Sequence, residues 1–385
     1  MLNNFGIIPP IERTVKMNQS EKYTAIHYHN YLELDKLLSA QNPRSGEFEY
    51  KSAHDETLFI IMHQVYELWF KQILHEIESV CELLNKKIVG AENLNKATLR
   101  LKRVSEILEL IINQITVMET LTPLDFLDFR NYLFPASGFQ SLQFRLIEVT
   151  LGLRDEDRIT YNNHSYKIVF NEEQKEKIKV VEAKGSVFTL VQNWLERIPF
   201  LQFKNFNFLE VYKKAVDKML ENEATAIGAT DYLSDKMKSM RLKMLGDTNS
   251  YFKRVFSEAA HNEMIKKNEL RLSYKATMAA LLINLYRGKP ILTTPFNFLT
   301  ELMNIDELLT TWRYRHAQMV QRMIGNKVGT GGSSGHDYLA KTAEKHKVFK
   351  DLHNISSLLI PRTELPELPI DFNKELSFYY EKNEN

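Results

Sequence analysis

The chain has 385 residues, 44% of them apolar and 26% charged, which supports one large or two modest folded domains and excludes disorder as the default. Fifty basic residues against 49 acidic ones leave a formal charge of +1 with no arginine or lysine block, so nucleic acid is not an expected partner. One cysteine, Cys81, excludes both a disulfide framework and a multi-cysteine metal site, and no apolar run is long enough for a signal peptide or membrane span; a soluble, cytoplasmic protein is expected.

Residues 1–22 read as a loosely held arm. Tyr23 to Ala40 is amphipathic and predicts a helix, with Ile26, Tyr31, Leu34, Leu37 and Leu38 near one face and Tyr28 beside it. The two tyrosines either fill an interface or line a pocket. From Ser52 the periodicity predicts a helix of about thirty residues, opened by a Ser52/Asp55 capping signal. Phe59 and His63, four apart, share one face of it. His63 is therefore either a satisfied core histidine or a functional one.

Lys96 to Thr120 predicts a second long helix. Thr122, Pro123 and Asp125 then supply a cap, a first-turn proline and an N3 acid for a short helix that Pro135 closes. Arg130 falls in phase with Phe126 and Leu133 on the apolar side. A guanidinium there needs an anion, from an internal carboxylate or from a bound one. Ser137 and Gln140 form a second capping box, for a helix expected to end at Gly152.

Beyond it, a small hairpin is expected around Asn162 and Asn163, a helix over Val187 to Arg197, and a charged, peripheral helical region over Leu209 to Phe256. Leu270 to Tyr286 is apolar nearly all round and predicts a central helix, which Pro290 and Pro295 separate from Phe296 to Met303. The only Glu-x-x-His, Glu258 to His261, lacks the second copy that a di-metal bundle needs.

Ile305 to Gly325 carries Ile305, Leu308, Leu309, Trp312, Met319, Val320, Met323 and Ile324 on one helical stripe, and His316 falls on that stripe. The glycine-rich run 329–335 follows, with Thr330 as a hydroxyl between glycines. It is either a flexible connector or a lid over a ligand; it is neither a Walker loop nor a dinucleotide fingerprint. A last helix is expected over Tyr338 to Leu359, then extended wrapping through PRTELPELP and a tail from 370 to 385.

Four stretches, HDETLFIIMHQVYELWFKQILHEI, ETLTPLDFLDFRNYLFPASGFQSLQFRLIE, RLSYKATMAALLINLY and IDELLTTWRYRHAQMVQRMIGNKVGTGGSSG, together resemble the tryptophan 2,3-dioxygenase family in order and in length. The resemblance runs from about Tyr23 to about Pro369. It implies an all-α fold, with a single haem-binding dioxygenase domain over 23–369. It further implies a homotetramer, a dimer of dimers, using haem b with ferrous iron to insert both atoms of O₂ across the indole C2–C3 bond of L-tryptophan. The product would be N-formyl-L-kynurenine, at the first step of the kynurenine pathway.

By matching position, the resemblance makes His316 the axial haem ligand and His63 the partner of the indole N–H. Arg130 becomes the clamp on the substrate carboxylate, Thr330 a contact to the amino-acid end, Phe59 a packing surface for the indole, and Ser137 part of the pocket edge. Tyr28 and Tyr31 would close the pocket from a neighbouring subunit. His336 and His75 depart from the family's usual residues. Histidine at position 63 separates the chain from indoleamine dioxygenases, which have serine there. The reading outside this class is a cofactor-free helical interaction protein with core histidines and an internally paired Arg130.

Overall fold

The computed structural model describes residues 24–159, 165–327 and 336–377. Three long helices form its frame: Glu56–Leu84, Ala91–Met118 and Pro290–Ile324. The third packs along the second, and the second along the first. Each is helical for the same reason, a buried stripe at three-and-four spacing. Ile73, Ile77, Val80 and Leu84 supply it in the first, Leu101, Val104, Leu108, Ile111 and Ile115 in the second, and Phe298, Leu302, Ile305 and Leu309 in the third.

Pro290 opens the third helix at its first position, and the helix then runs through Pro295 without the expected break. Proline there removes one hydrogen bond, to the carbonyl of Ile291 on an exposed turn, at a cost of about 3 kcal/mol. Burial of Phe298, Leu299 and Leu302 just beyond it offsets that cost, at about 1.5–3 kcal/mol for each side chain. Trp312, His316 and Met319 therefore sit on the same rigid rod as the residues that anchor it.

The central helix Tyr274–Leu285 is as expected, with every residue from Ala276 to Ile283 buried and Ser273 capping it through the Ala276 N–H. The charged region forms two helices, Phe208–Ala229 and Asp235–Phe256, packed on each other; Tyr212, Val216 and Phe252 turn inward and the lysines outward. No single helix among the described residues is long and apolar enough to cross a membrane.

Several expectations change. Tyr23 to Ala40 is not one helix: the described part has two short ones, Tyr28–Tyr31 and Leu34–Leu38, broken at Glu33 in the left-handed region at φ 50°. Its apolar stripe finds no cover in the single chain, with Tyr28 69% and Tyr31 71% exposed. At the first long helix, Asp55 makes no side-chain cap. The buried Glu56 carboxylate instead accepts the backbone N–H groups of Arg44 at 2.7 Å and Ser45 at 2.9 Å.

Asn162 and Asn163 lie outside the described residues, and the adjoining Tyr166–Val169 is a 3₁₀ turn, not a strand. The strand pair among the described residues is Gln202–Phe203 with Phe206–Asn207. Tyr338 to Leu359 divides into His336–Lys345, Lys350–Asn354 and a 3₁₀ turn at Ile355–Leu358. The break is held by buried Asp306 on the third long helix, which accepts the Val348 N–H at 2.8 Å and the Phe349 N–H at 3.1 Å. Within the segment read as a tail, Ile370–Glu375 is helical, and its Phe372 is fully buried against Phe200, Phe203 and Phe206.

Asp306→Ala would strand both buried N–H donors and is expected to destabilise the fold by about 2–4 kcal/mol. A urea titration followed by circular dichroism checks this through the midpoint; an unchanged midpoint would show that the turn at 348–349 is held by other contacts.

Candidate functional site

A cavity of about 280 Å³ opens between the first and third long helices. The Pro123–Arg130 helix, the Leu142–Leu151 helix, the end of the second long helix and the His336–Lys345 helix contribute further walls. The Pro123–Arg130 helix is placed by the cap read from sequence, whereas the Ser137 box, expected to open the Leu142–Leu151 helix, caps a separate short turn before it. Thr122 and Asp125 form a reciprocal capping box, and Ser137 and Gln140 form another around a short 3₁₀ turn, after which Ser141 caps the longer helix. Gly152, at φ 116°, ends that helix in the left-handed conformation that favours glycine.

His316 and His63 line this cavity from different helices. Burial, with a smaller electrostatic effect from nearby His63, pushes the His316 pKa down to about 4, so the imidazole is neutral near pH 7. The ring lies parallel to Trp312, with centroids 5.3 Å apart and planes within 1°. Trp312 is itself packed on Phe144 and Phe70.

His63 opens onto the cavity space, yet enough protein surrounds it that desolvation lowers its pKa, against smaller raising effects from the Phe59 carbonyl and Glu67. Its Nδ1 lies 2.7 Å from the Phe59 carbonyl oxygen. A carbonyl can only accept, so Nδ1 carries the proton and the neutral ring's Nε2 is left as an acceptor. Phe59 stacks at a tilt on His63, with ring centroids 4.2 Å apart, and is backed by Phe126 and Phe129.

Arg130 and Ser137 also line the cavity, so five residues singled out from sequence converge there: Phe59, His63, Arg130, Ser137 and His316. Tyr28 and Tyr31 do not line it within the single chain. Thr330 lies outside the described residues. His261 is fully buried, with Nε2 3.0 Å from the Leu272 carbonyl oxygen, and serves the core.

Sequence reasoning missed a charged cluster on the cavity wall. Glu148, 1% exposed, is paired with Arg145 at 2.7 Å, Arg313 at 2.9 Å and Arg158. Burial alone would raise its pKa, but these arginines hold it well below the usual carboxylate range. The signal was available: Glu148 is in phase with Phe144 and Leu151 on a buried face, as Arg130 is on its own helix.

The fold and site define an α-helical protein built round a largely apolar cavity, partly open to solvent, with a neutral histidine on each of two different helices. A family model described as tryptophan 2,3-dioxygenase matches residues 13–359. A tryptophan 2,3-dioxygenase of Bdellovibrio bacteriovorus is 50% identical over 359 residues, covering 93% of this chain and 100% of that protein. One from Dictyostelium discoideum is 46% identical over 370 residues, covering 96% and 92%. The chain belongs to the tryptophan 2,3-dioxygenase family.

That family is haem-dependent. The residues here fit such a group: His316 is neutral, lines an apolar cavity and makes no hydrogen bond among the described residues, which leaves a ring nitrogen for a metal.

Glu148→Gln would leave three guanidinium groups round a neutral amide and is expected to cost about 3–5 kcal/mol of stability. Because its folded pKa is depressed, the contribution of Glu148 is present above the unfolded carboxylate value and is lost as pH falls through the folded one. Urea midpoints measured for both proteins between neutral and acidic pH should converge towards the acid end; parallel curves would exclude this carboxylate as the source.

Proposed function

We propose that His316 is the axial ligand of haem b, that His63 accepts the indole N–H of L-tryptophan, and that Arg130 clamps its carboxylate. The chain's family reaction is the conversion of tryptophan to N-formylkynurenine. The observation that carries the residue assignment is the His63 tautomer. With Nδ1–H engaged by the Phe59 carbonyl, Nε2 presents a lone pair to the cavity that His316 lines.

Bound haem would supply the ferrous iron that lets O₂ react with a closed-shell indole. Everything else is positioning by the chain. Phe59, held by Phe126 and Phe129, offers a flat apolar surface to the indole. Arg130 fixes the other end of the amino acid, with Thr330 and Ser137 as further polar contacts. Burial lowers the His63 pKa, making an already weak base weaker, so His63 orients the indole and does not need to remove its proton. Both oxygen atoms enter the product as the C2–C3 bond breaks, so the overall reaction needs no external acid or base.

The exposure of Tyr28 and Tyr31 supports their use across a subunit contact, closing the pocket of a neighbour within a homotetramer.

The first test is an absorbance time course of haem-supplied, reduced protein with L-tryptophan in air. Growth of the near-ultraviolet band of N-formylkynurenine is expected, and a flat trace with normal haem uptake would reject the reaction. His316→Ala should abolish the axial-histidine haem spectrum. His63→Ala should slow turnover while keeping haem, and loss of haem in that variant would reject its substrate role. Arg130→Leu should lower kcat/KM for tryptophan by about 30-fold or more, corresponding to about 2–5 kcal/mol for a desolvated charge pair.

A further inference from the structure

The indole N–H and the carboxylate of tryptophan are a fixed number of bonds apart, so the groups that hold them must keep a matching spacing. His63 and Arg130 stand on different helices. Phe126 and Phe129 pack the Arg130 helix on Phe59, and Thr122 caps its start. Arg130 is at the other end, followed directly by the 3₁₀ turn Asn131–Leu133. A separate segment, 44–53, reaches that end.

The segment is fastened to the helix that bears His63. Glu56, one turn before Phe59, accepts the Arg44 and Ser45 N–H groups and the Ser45 hydroxyl. Ser45 Oγ in turn accepts the Ala53 N–H at 2.9 Å, so both ends of the segment meet at one carboxylate. Gly46 lets them close, because a Cβ there would stand 3.3 Å from Ser52 Cβ. Glu56 and Ser45 are each 1% exposed, and without the carboxylate the Ser45 N–H would be left buried and unpaired.

Between these ends the segment grips the turn after Arg130. Phe48 stacks on Tyr132, with centroids 5.1 Å apart and planes within 3°, and Glu49 accepts the Tyr132 hydroxyl. Arg44 lies over the Phe48 ring, 5.5 Å from its centroid. Glu56, Phe48, Glu49 and Tyr132 do not line the cavity, so their influence on a ligand passes through Arg130.

We propose that segment 44–53 is a clip that fixes Arg130 at its distance from His63, and that Glu56 and Tyr132 are positioning residues for selection of the substrate carboxylate. The inference rests on the Arg130 reading above and deepens it.

The test compares L-tryptophan with tryptamine, which keeps the indole and the amine but lacks the carboxylate. Dissociation constants are measured on full-length, haem-supplied, reduced protein without oxygen, from the change in Soret absorbance. The wild type should prefer tryptophan by at least about tenfold, and Arg130→Leu should remove that preference. Tyr132→Ala should lower it by about three- to tenfold, the scale of one aromatic pair, while the tryptamine constant stays within about twofold of wild type. Tyr132→Phe keeps the stack and should restore most of the preference. Glu56→Gln should act as Tyr132→Ala does, and Ser45→Ala replaces it if circular dichroism shows that the glutamine variant does not fold.

A preference unchanged in Tyr132→Ala or in Glu56→Gln would overturn the proposal. So would an equal loss of affinity for both ligands, which would make the clip a general support of the cavity. Absence of a preference in the wild type, or its survival in Arg130→Leu, would reject the Arg130 reading and the clip's role with it, whereas collapse in Arg130→Leu alone rejects only the clip.

Discussion

The continuous helix Pro290–Ile324, laid along Ala91–Met118, is the constraint from which the site follows. Its buried stripe locks the rod against the frame, and Trp312, Arg313, His316 and Met319 then have fixed positions on the cavity wall. Asp306, on the same rod, ties down the return of the chain through Val348 and Phe349. A break at Pro295 would have uncoupled the anchoring part of this helix from the part that bears His316.

Desolvation then sets the chemistry. The same apolar enclosure that makes a cavity keeps both histidines neutral, and a neutral ring can either ligate a metal or accept a hydrogen bond from a donor. One local hydrogen bond, from His63 to the Phe59 carbonyl, selects which nitrogen faces the cavity. Two residues of one type thus acquire different capacities from their surroundings.

The cavity is also polarised. Aromatic and aliphatic side chains cover most of it, while Arg145, Glu148 and Arg313 concentrate charge on one wall and Arg130 stands on another helix.

Much of this was legible in the sequence because the relevant signals are local. Three-and-four periodicity located the long helices, the Thr122 and Ser137 capping boxes marked their junctions, and helical phase placed His63, Arg130 and His316 on inward faces. Tertiary structure alone decided whether each stripe found a partner. The apolar residues of 24–40 did not within one chain, so two short helices stand where one was expected, whereas burial beyond Pro295 carried a helix through a residue that ordinarily interrupts it. It also decided which charges meet: Glu148 and Arg313 are far apart in sequence, and periodicity contains no information about contacts between elements, because those depend on how the helices pack in space.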